Sequence, residues 1–313
     1  MLPAILTTVL FALSAASAGR TTRLLGGKTA NFARLSLATL WLACWAYGFG
    51  LGTTGPSFVW FFFSGIVGFG VGDLALYSAL PRIGARLAVL LTQCLAAPLG
   101  AIIEWLWLGT ALNLWQILWG ATILVGVALA LWPDPRNKTQ SRPWVTGTIF
   151  GIVAGVGQGG GAVITRKAYA VAQQAGLHID GGTAAFQRII GGMSLTIVVL
   201  LLYHGIKRCR AEVLAQTRAE APKADALHPW RLAWPWVIVN SLAGPAIGVA
   251  CYQWALSIAP TGVVLAIVAT TPLAVIPFTF LLEGERPSVQ SLIGGAVAVL
   301  GAIALASLTQ VSG

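Results

Sequence analysis

Two carboxylates of this chain stand where carboxylates are costly. Asp73 and Glu104 are the acids placed well inside long apolar runs. A charge at mid-membrane costs about 2.5–3.5 kcal/mol on insertion scales, so it normally faces a polar cavity or a partner. A carboxyl desolvated in this way can exchange a proton, which would couple proton movement to the movement of a solute. Each acid also has a plainer reading. Asp73 can be a packing carboxylate held by Tyr77, Arg82 or Arg86. Glu104, between Ile103 and Trp105 near the end of its run, can reach out to the interface.

Two arginines open apolar runs with the same signature, Phe32-Ala-Arg34 and Phe186-Gln-Arg188. Placed equivalently, Arg34 and Arg188 could hold an anionic group from opposite sides of a cavity; arginines at such ends otherwise anchor to headgroups. Neutral polar groups fall inside the runs as well: Gln93, Gln158, Gln187, Asn240 and Gln253, with Tyr77 and Tyr252. These suit recognition of a zwitterion or polar metabolite. They equally suit hydrogen bonds between helices, worth about 0.6 kcal/mol each on average. Gly147, Gly151, Gly155 and Gly159 recur every fourth residue, which carves a groove on one helix face for close packing. Gly155-Val-Gly-Gln-Gly-Gly160 fits a dinucleotide-binding pattern, but in an apolar helix without a preceding strand it carries no such meaning.

Nothing calls for a cofactor or a metal. Cys44, Cys94, Cys209 and Cys251 are scattered, and His178, His204 and His228 are expected in loops. No phosphate-binding Walker motif is present.

The elements that must position these groups follow from composition. The 313 residues are 57% hydrophobic and 9% charged, with mean hydropathy +0.81; soluble domains carry about 25% charged residues. Ten apolar runs of bilayer-crossing length lie near 2–19, 35–53, 57–77, 85–107, 113–132, 144–164, 183–203, 233–256, 261–282 and 289–308. They lack strand-like alternation, so the fold expected is an all-α integral membrane protein. The small residues of Leu13-Ser-Ala-Ala-Ser-Ala18 resemble a cleavage site, but no basic segment precedes them, and a retained helix is expected. Pro98, Pro245, Pro272 and Pro277 mark places where spans can bend.

The net charge of +10 is topological rather than a nucleic-acid footprint. Of the 19 Lys and Arg, 16 fall in odd-numbered connections, among them Arg34, and the rest, Arg166, Lys167 and Arg188, in even-numbered ones. The positive-inside bias places odd connections in the cytoplasm and both termini outside, in a plasma-type membrane. The longest connection, 204–231, is expected to be a solvated loop.

The second half repeats the first. Gly68-Phe-Gly-Val-Gly72 and Ala79-Leu80 recur as Gly244-Pro-Ala-Ile-Gly248 and Ala255-Leu256, and Gly120 and Gly126 as Gly295 and Gly301. Between the halves lies the polar stretch 133–143. The division expected is a five-helix repeat over 1–132, this linker, and a second repeat over 144–313. An odd number of spans per half inverts one repeat against the other, the arrangement of secondary transporters built around a central cavity.

Residues 72–85, Pro98-Leu-Gly-Ala-Ile-Ile-Glu-Trp-Leu-Trp-Leu-Gly109, Thr271-Pro272 and Gly284-Glu285-Arg286 resemble the drug/metabolite transporter superfamily, EamA type. The resemblance implies ten helices around a cavity and export or exchange of small metabolites. Two departures stand out: Thr110 where that family commonly has Glu, and Glu104 where a small residue is usual. Its members are usually drawn with both termini in the cytoplasm, opposite to the charge count.

The reading is thus a secondary transporter of a small organic solute by alternating access. Its partners are the substrate, the bilayer and, through Asp73, protons as coupling ion. A membrane-embedded enzyme would need a His, Cys or acid cluster inside the spans, and a structural subunit would leave the duplication unexplained. Cargo and oligomeric state are not encoded in any motif.

Overall fold

The computed structural model describes residues 1–110, 112–131, 144–215, 228–283 and 289–311. Among these, all regular structure is helical. The α-helices are α1 (Leu2–Leu25), α2 (Gly27–Gly48), α3 (Phe58–Gly65), α4 (Leu74–Leu108), α5 (Leu114–Leu131), α6 (Trp144–Gln174), α7 (Gly181–Ala215), α8 (His228–Ser241), α9 (Ile247–Ile258), α10 (Thr261–Val268), α11 (Thr271–Glu283) and α12 (Val289–Val311). Two π-helical segments interrupt them, Ile66–Asp73 and Leu242–Ala246. Helices keep backbone hydrogen bonds internal, which lipid demands. Seven stretches are long and apolar enough to cross a membrane: Leu2–Leu25, Phe58–Ile83, Ala88–Leu108, Val145–Gln174, Gly181–Tyr203, Pro229–Ile258 and Thr261–Phe278. The other apolar runs form α2, α5 and α12, so every run is helical while seven meet that criterion.

Several boundaries depart from the hydropathy reading. The connection expected to hold Arg20 to Arg34 shrinks to one corner at Gly26, whose φ of 77° suits glycine. Helix α6 runs to Gln174, so Arg166 and Lys167 lie on a helix rather than in a loop. Helix α7 runs to Ala215 and α8 starts at His228, which places His204 and His228 on helices and leaves 216–227, with the linker 133–143 and the Gly284-Glu285-Arg286 motif, outside the described residues. Charged residues such as Arg166 and Lys167 end an apolar run, whereas backbone hydrogen bonding continues through them into good helix formers such as Ala168, Ala170 and Ala172.

Helix α6 is gripped on two sides. Along one, Gly157 packs on Gly72 and Gly161 on Gly68, so the Ile66–Asp73 segment runs antiparallel to it. Along the other, Gly147 meets Ile83, Gly151 meets Leu91, Gly155 meets Leu95 and Gly159 meets the backbone of Ala96 and Gly100, a parallel run. The order of these contacts reverses between residues 83 and 91, so the helical turns of α4 carry the chain around a corner there. The Gly147–Gly159 face is therefore a helix seam. In the same manner Gly126 packs on Gly294 and Ala298, joining α5 to α12.

The Thr261–Phe278 stretch is broken between α10 and α11. The hydroxyls of Thr270 and Thr271 donate to the carbonyls of Ile267 and Val268 at 2.7 and 2.6 Å. The Thr271 hydroxyl thus serves the Val268 carbonyl, for which Pro272 has no N–H to offer, while the Ile267 carbonyl also accepts the Thr270 N–H and the Thr8 hydroxyl.

Candidate functional site

The two π-helical segments carry Gly68 and Gly244, which the expected duplication pairs, and they face one cavity. Its lining takes Gly68, Phe69 and Asp73 from the first segment and Gly244 and Pro245 from the second. Interruptions of this type re-aim side chains and carbonyls, and they recur at functional sites.

On one side of the cavity sits a hydrogen-bonded chain. Arg34, on α2 and 5% exposed, ion-pairs with Asp73. Its Nε donates to Asn31 Oδ1 at 3.1 Å, and its guanidinium lies 4.6 Å from the Tyr77 ring centroid. The Tyr77 hydroxyl accepts from Asn240 Nδ2 at 2.8 Å, and Asn240 Oδ1 accepts from Ser14 Oγ at 2.7 Å. Helices α1, α2, α4 and α8 are thereby tied around one guanidinium. Gly244 makes room for it: a Cβ there would stand 2.5 Å from Ser14 Oγ and 3.2 Å from Arg34 Nη1.

Arg188, on α7 and 4% exposed, takes the matching place on the other side. Its guanidinium lies 5.4 Å from the Phe69 ring centroid and so close to Gly68 that a Cβ there would stand 2.7 Å from Nη2. The contacts are crossed. Each arginine rests against the glycine of the π-helical segment contributed by the other half. Each also lies seven residues into its helix, about 10 Å along the axis.

The two sides are not equal in charge. Val249 stands in the second half where Asp73 stands in the first, in the register that pairs Gly72 with Gly248 and Ala79 with Ala255. Among the described residues Arg188 makes no ion pair, and its Nε has no hydrogen-bond partner. Tyr252 and Gln93 line the same cavity with the tyrosine hydroxyl and Gln93 Oε1 also unpartnered, and Gln158 lines it too. The cavity volume is about 90 Å³. That is room for about six waters or a solute of similar bulk. It falls well short of the roughly 300–1,000 Å³ of pockets that bury drug-sized ligands.

Four candidates lie outside the lining. Asn240 stands one hydrogen bond behind it. Gln187 Nε2 donates to the carbonyl of Gly52 at 2.9 Å, holding the connection between α2 and α3. Gln253 is fully buried with neither amide atom partnered. Glu104 does not reach an interface: it is 1% exposed, accepts from Arg166 Nε at 3.1 Å and accepts the backbone N–H of Thr261 at 2.6 Å. Arg166 in turn donates to the carbonyl of Leu256 at 3.0 Å.

Ser14, Asn31, Arg166 and Asp180 are contributors that the sequence reading passed over. Asp180 caps α7, accepting the N–H groups of Gly182 and Thr183 at 2.9 and 3.0 Å and the indole N–H of Trp45 at 2.8 Å. Burial pushes its carboxyl up, but the hydrogen bonds from Thr183, Trp45 and Gly182 outweigh this and hold it below the usual carboxylate range. An Asp followed by two glycines and a threonine is a helix-start signal that could have been read.

A model of the EamA-like transporter family matches residues 145–307, just over half the chain. No curated protein matches it significantly. The fold is similar to that of a protein solved by crystallography, with TM-score 0.62 and 16% identity over 99% of this chain and 96% of that one; at that identity the likeness concerns the fold alone. Arg188, Tyr252 and the crossed glycine Gly244 lie within the matched stretch. This helical integral membrane chain belongs to the EamA-like transporter family, whose members carry small molecules.

Proposed function

We propose that the protein is a secondary transporter of small organic metabolites, an exporter or exchanger working by alternating access. Two inverted five-helix repeats, residues 1–132 and 144–313 joined by 133–143, rock about the cavity. The observation that carries this reading is the crossed packing of Arg34 on Gly244 and Arg188 on Gly68. Relative motion of the repeats must change both contacts at once, at the place where a solute would sit.

Accessibility supports it. Lining residues extend toward Ala18, Leu80 and Val89, at the end of the bundle where Gly26 turns α1 into α2. At the opposite end Asp180 and Gln187 hold Trp45 and Gly52 over the start of α7. With Arg34 and Arg188 buried and Arg166 paired, the loop charges are still more one-sided, so the Gly26 end is cytoplasmic and both termini are outside. The conformation then faces the cytoplasm. Asp73 is the proton-coupling group, since protonation there would release Arg34.

The full chain reconstituted in liposomes tests this by counterflow of labelled metabolites. Accumulation that depends on unlabelled solute inside, and on Asp73 when a pH gradient drives it, is expected. Equal uptake by protein-free liposomes for every solute would sink the proposal.

A further inference from the structure

The second arginine points to the class of cargo. A guanidinium stays protonated in proteins, so it cannot shed its charge when buried, and it carries five N–H donors. Arg34 is provided for, with Asp73, Asn31 and the Tyr77 face. Arg188 is not. It is 4% exposed, its Nε is unpartnered, and its contact with the Phe69 ring does not supply the acceptor that Nε lacks. The place where the duplication would supply an acid holds Val249. Asp73, already engaged by Arg34, is the one carboxylate among the described lining residues, so the cavity carries one uncompensated positive charge. Such a charge within a membrane needs a counter-ion.

We infer that the transported solute is a small organic acid whose carboxylate pairs with Arg188, an inference that rests on the transporter reading above. Guanidinium and carboxylate match in a bidentate fork. Tyr252, 2% exposed with its hydroxyl unpartnered, offers a second donor to the same group. Gln93, 6% exposed with Oε1 unpartnered, offers an acceptor, which selects a hydroxyl elsewhere on the solute. The volume of about 90 Å³ limits the solute to a few carbons in this conformation. A monoanion neutralises the site. A zwitterion brings an ammonium that has no free carboxylate to meet, and a cation adds to the charge already there.

The test uses the purified full chain with four probes of similar size: lactate, alanine, propanediol and ethanolamine. Binding is measured in detergent by calorimetry and counterflow in liposomes, for wild type, Arg188→Gln and Arg188→Lys. Lactate is expected to bind at least about tenfold tighter than the other probes. Arg188→Gln should weaken lactate by on the order of 10- to 100-fold, the size of a charged hydrogen-bonded contact. Arg188→Lys, which keeps the charge and loses the fork, should fall between. If Arg188→Gln does not yield folded protein, the Lys variant and the probe ranking decide alone. Preference for ethanolamine or propanediol, or lactate binding unaltered in both variants, overturns the inference while flux of any probe keeps the transporter. Lactate binding without flux keeps the anion site and overturns transport; no binding and no flux of any probe overturns both.

Discussion

The carboxylate of Glu104 accepts the backbone N–H of Thr261 at 2.6 Å, so an acid of α4 caps the first turn of α10, 157 residues further on. A carboxylate at a helix start satisfies an orphan donor and complements the helix dipole. Its other oxygen takes Arg166. The group therefore clamps α4, α6 and α10 together away from the cavity.

Glu104→Gln keeps the shape and removes the charge. Breaking a buried pair costs about 3–5 kcal/mol, and solvent screening at Arg166, 23% exposed, lowers the expectation to about 2–3 kcal/mol. A lower unfolding midpoint in detergent is expected, with solute affinity unchanged per folded molecule. Adding Arg166→Met should recover part of the loss. An unaltered midpoint would mean that the clamp contributes nothing.

The crossed glycines make a symmetric prediction. At Gly68 a new Cβ would stand 2.7 Å from Arg188 Nη2, and at Gly244 it would stand 2.5 Å from Ser14 Oγ. Each alanine should cost about 1–3 kcal/mol by overpacking. Each should also depress counterflow, since it displaces an arginine or the chain that holds one. Ser14→Ala removes the nearest obstacle at Gly244 alone, so it should rescue Gly244→Ala and leave Gly68→Ala unimproved. Rescue of both, or of neither, would contradict the geometry.

The charged half of the site was legible because a charge inside an apolar run has few explanations. Asp73 and Glu104 stood out on that ground, and Arg34 and Arg188 by their shared Phe-x-Arg signature; all but Glu104 line the cavity. The amides were not separable. Gln93 and Gln158 line the cavity, whereas Gln187 and Gln253 do not, because lipid and packed neighbours are both apolar and a span shows no polar face to give its rotation. Ser14 and Asn31 were invisible since small polar side chains sit in a span at little cost; Ser14 even lay in a stretch resembling a cleavage site. The Glu104–Arg166 pair joins residues 62 positions apart, and no local pattern records it.

Asp73→Asn separates coupling from binding. The variant keeps volume and hydrogen-bonding capacity near Arg34 but cannot exchange a proton. Flux driven by an imposed pH gradient should fall at least about tenfold, as expected of a lost proton-transfer group. Solute-for-solute counterflow without a gradient should persist, although the freed Arg34 will alter affinity. Parallel loss of both activities, with correct folding, would reduce Asp73 to a structural partner of Arg34. Unchanged gradient-driven flux would remove protons from the mechanism.

Asp180 supplies a pH signature at the opposite end. Its native carboxyl titrates below the unfolded one, which lies near pH 3.9. The anion therefore stabilises the capped, Trp45-bonded arrangement above about pH 4, and that contribution is lost as pH falls through the native value. Between pH 5 and 8 it should be constant. Trp45 reports on it, since its indole donates to this carboxylate. Asp180→Asn should abolish the acid limb of an indole-fluorescence titration and lower the unfolding midpoint at pH 7, most visibly against wild type at the same pH. It should also loosen the contact closing the start of α7, so that a thiol reagent added from that side labels Thr183→Cys faster than in the parent carrying Asp180. An acid limb that survives the substitution would belong to another carboxylate. Unchanged labelling would show that the Trp45–Asp180 bond does not govern access from that end.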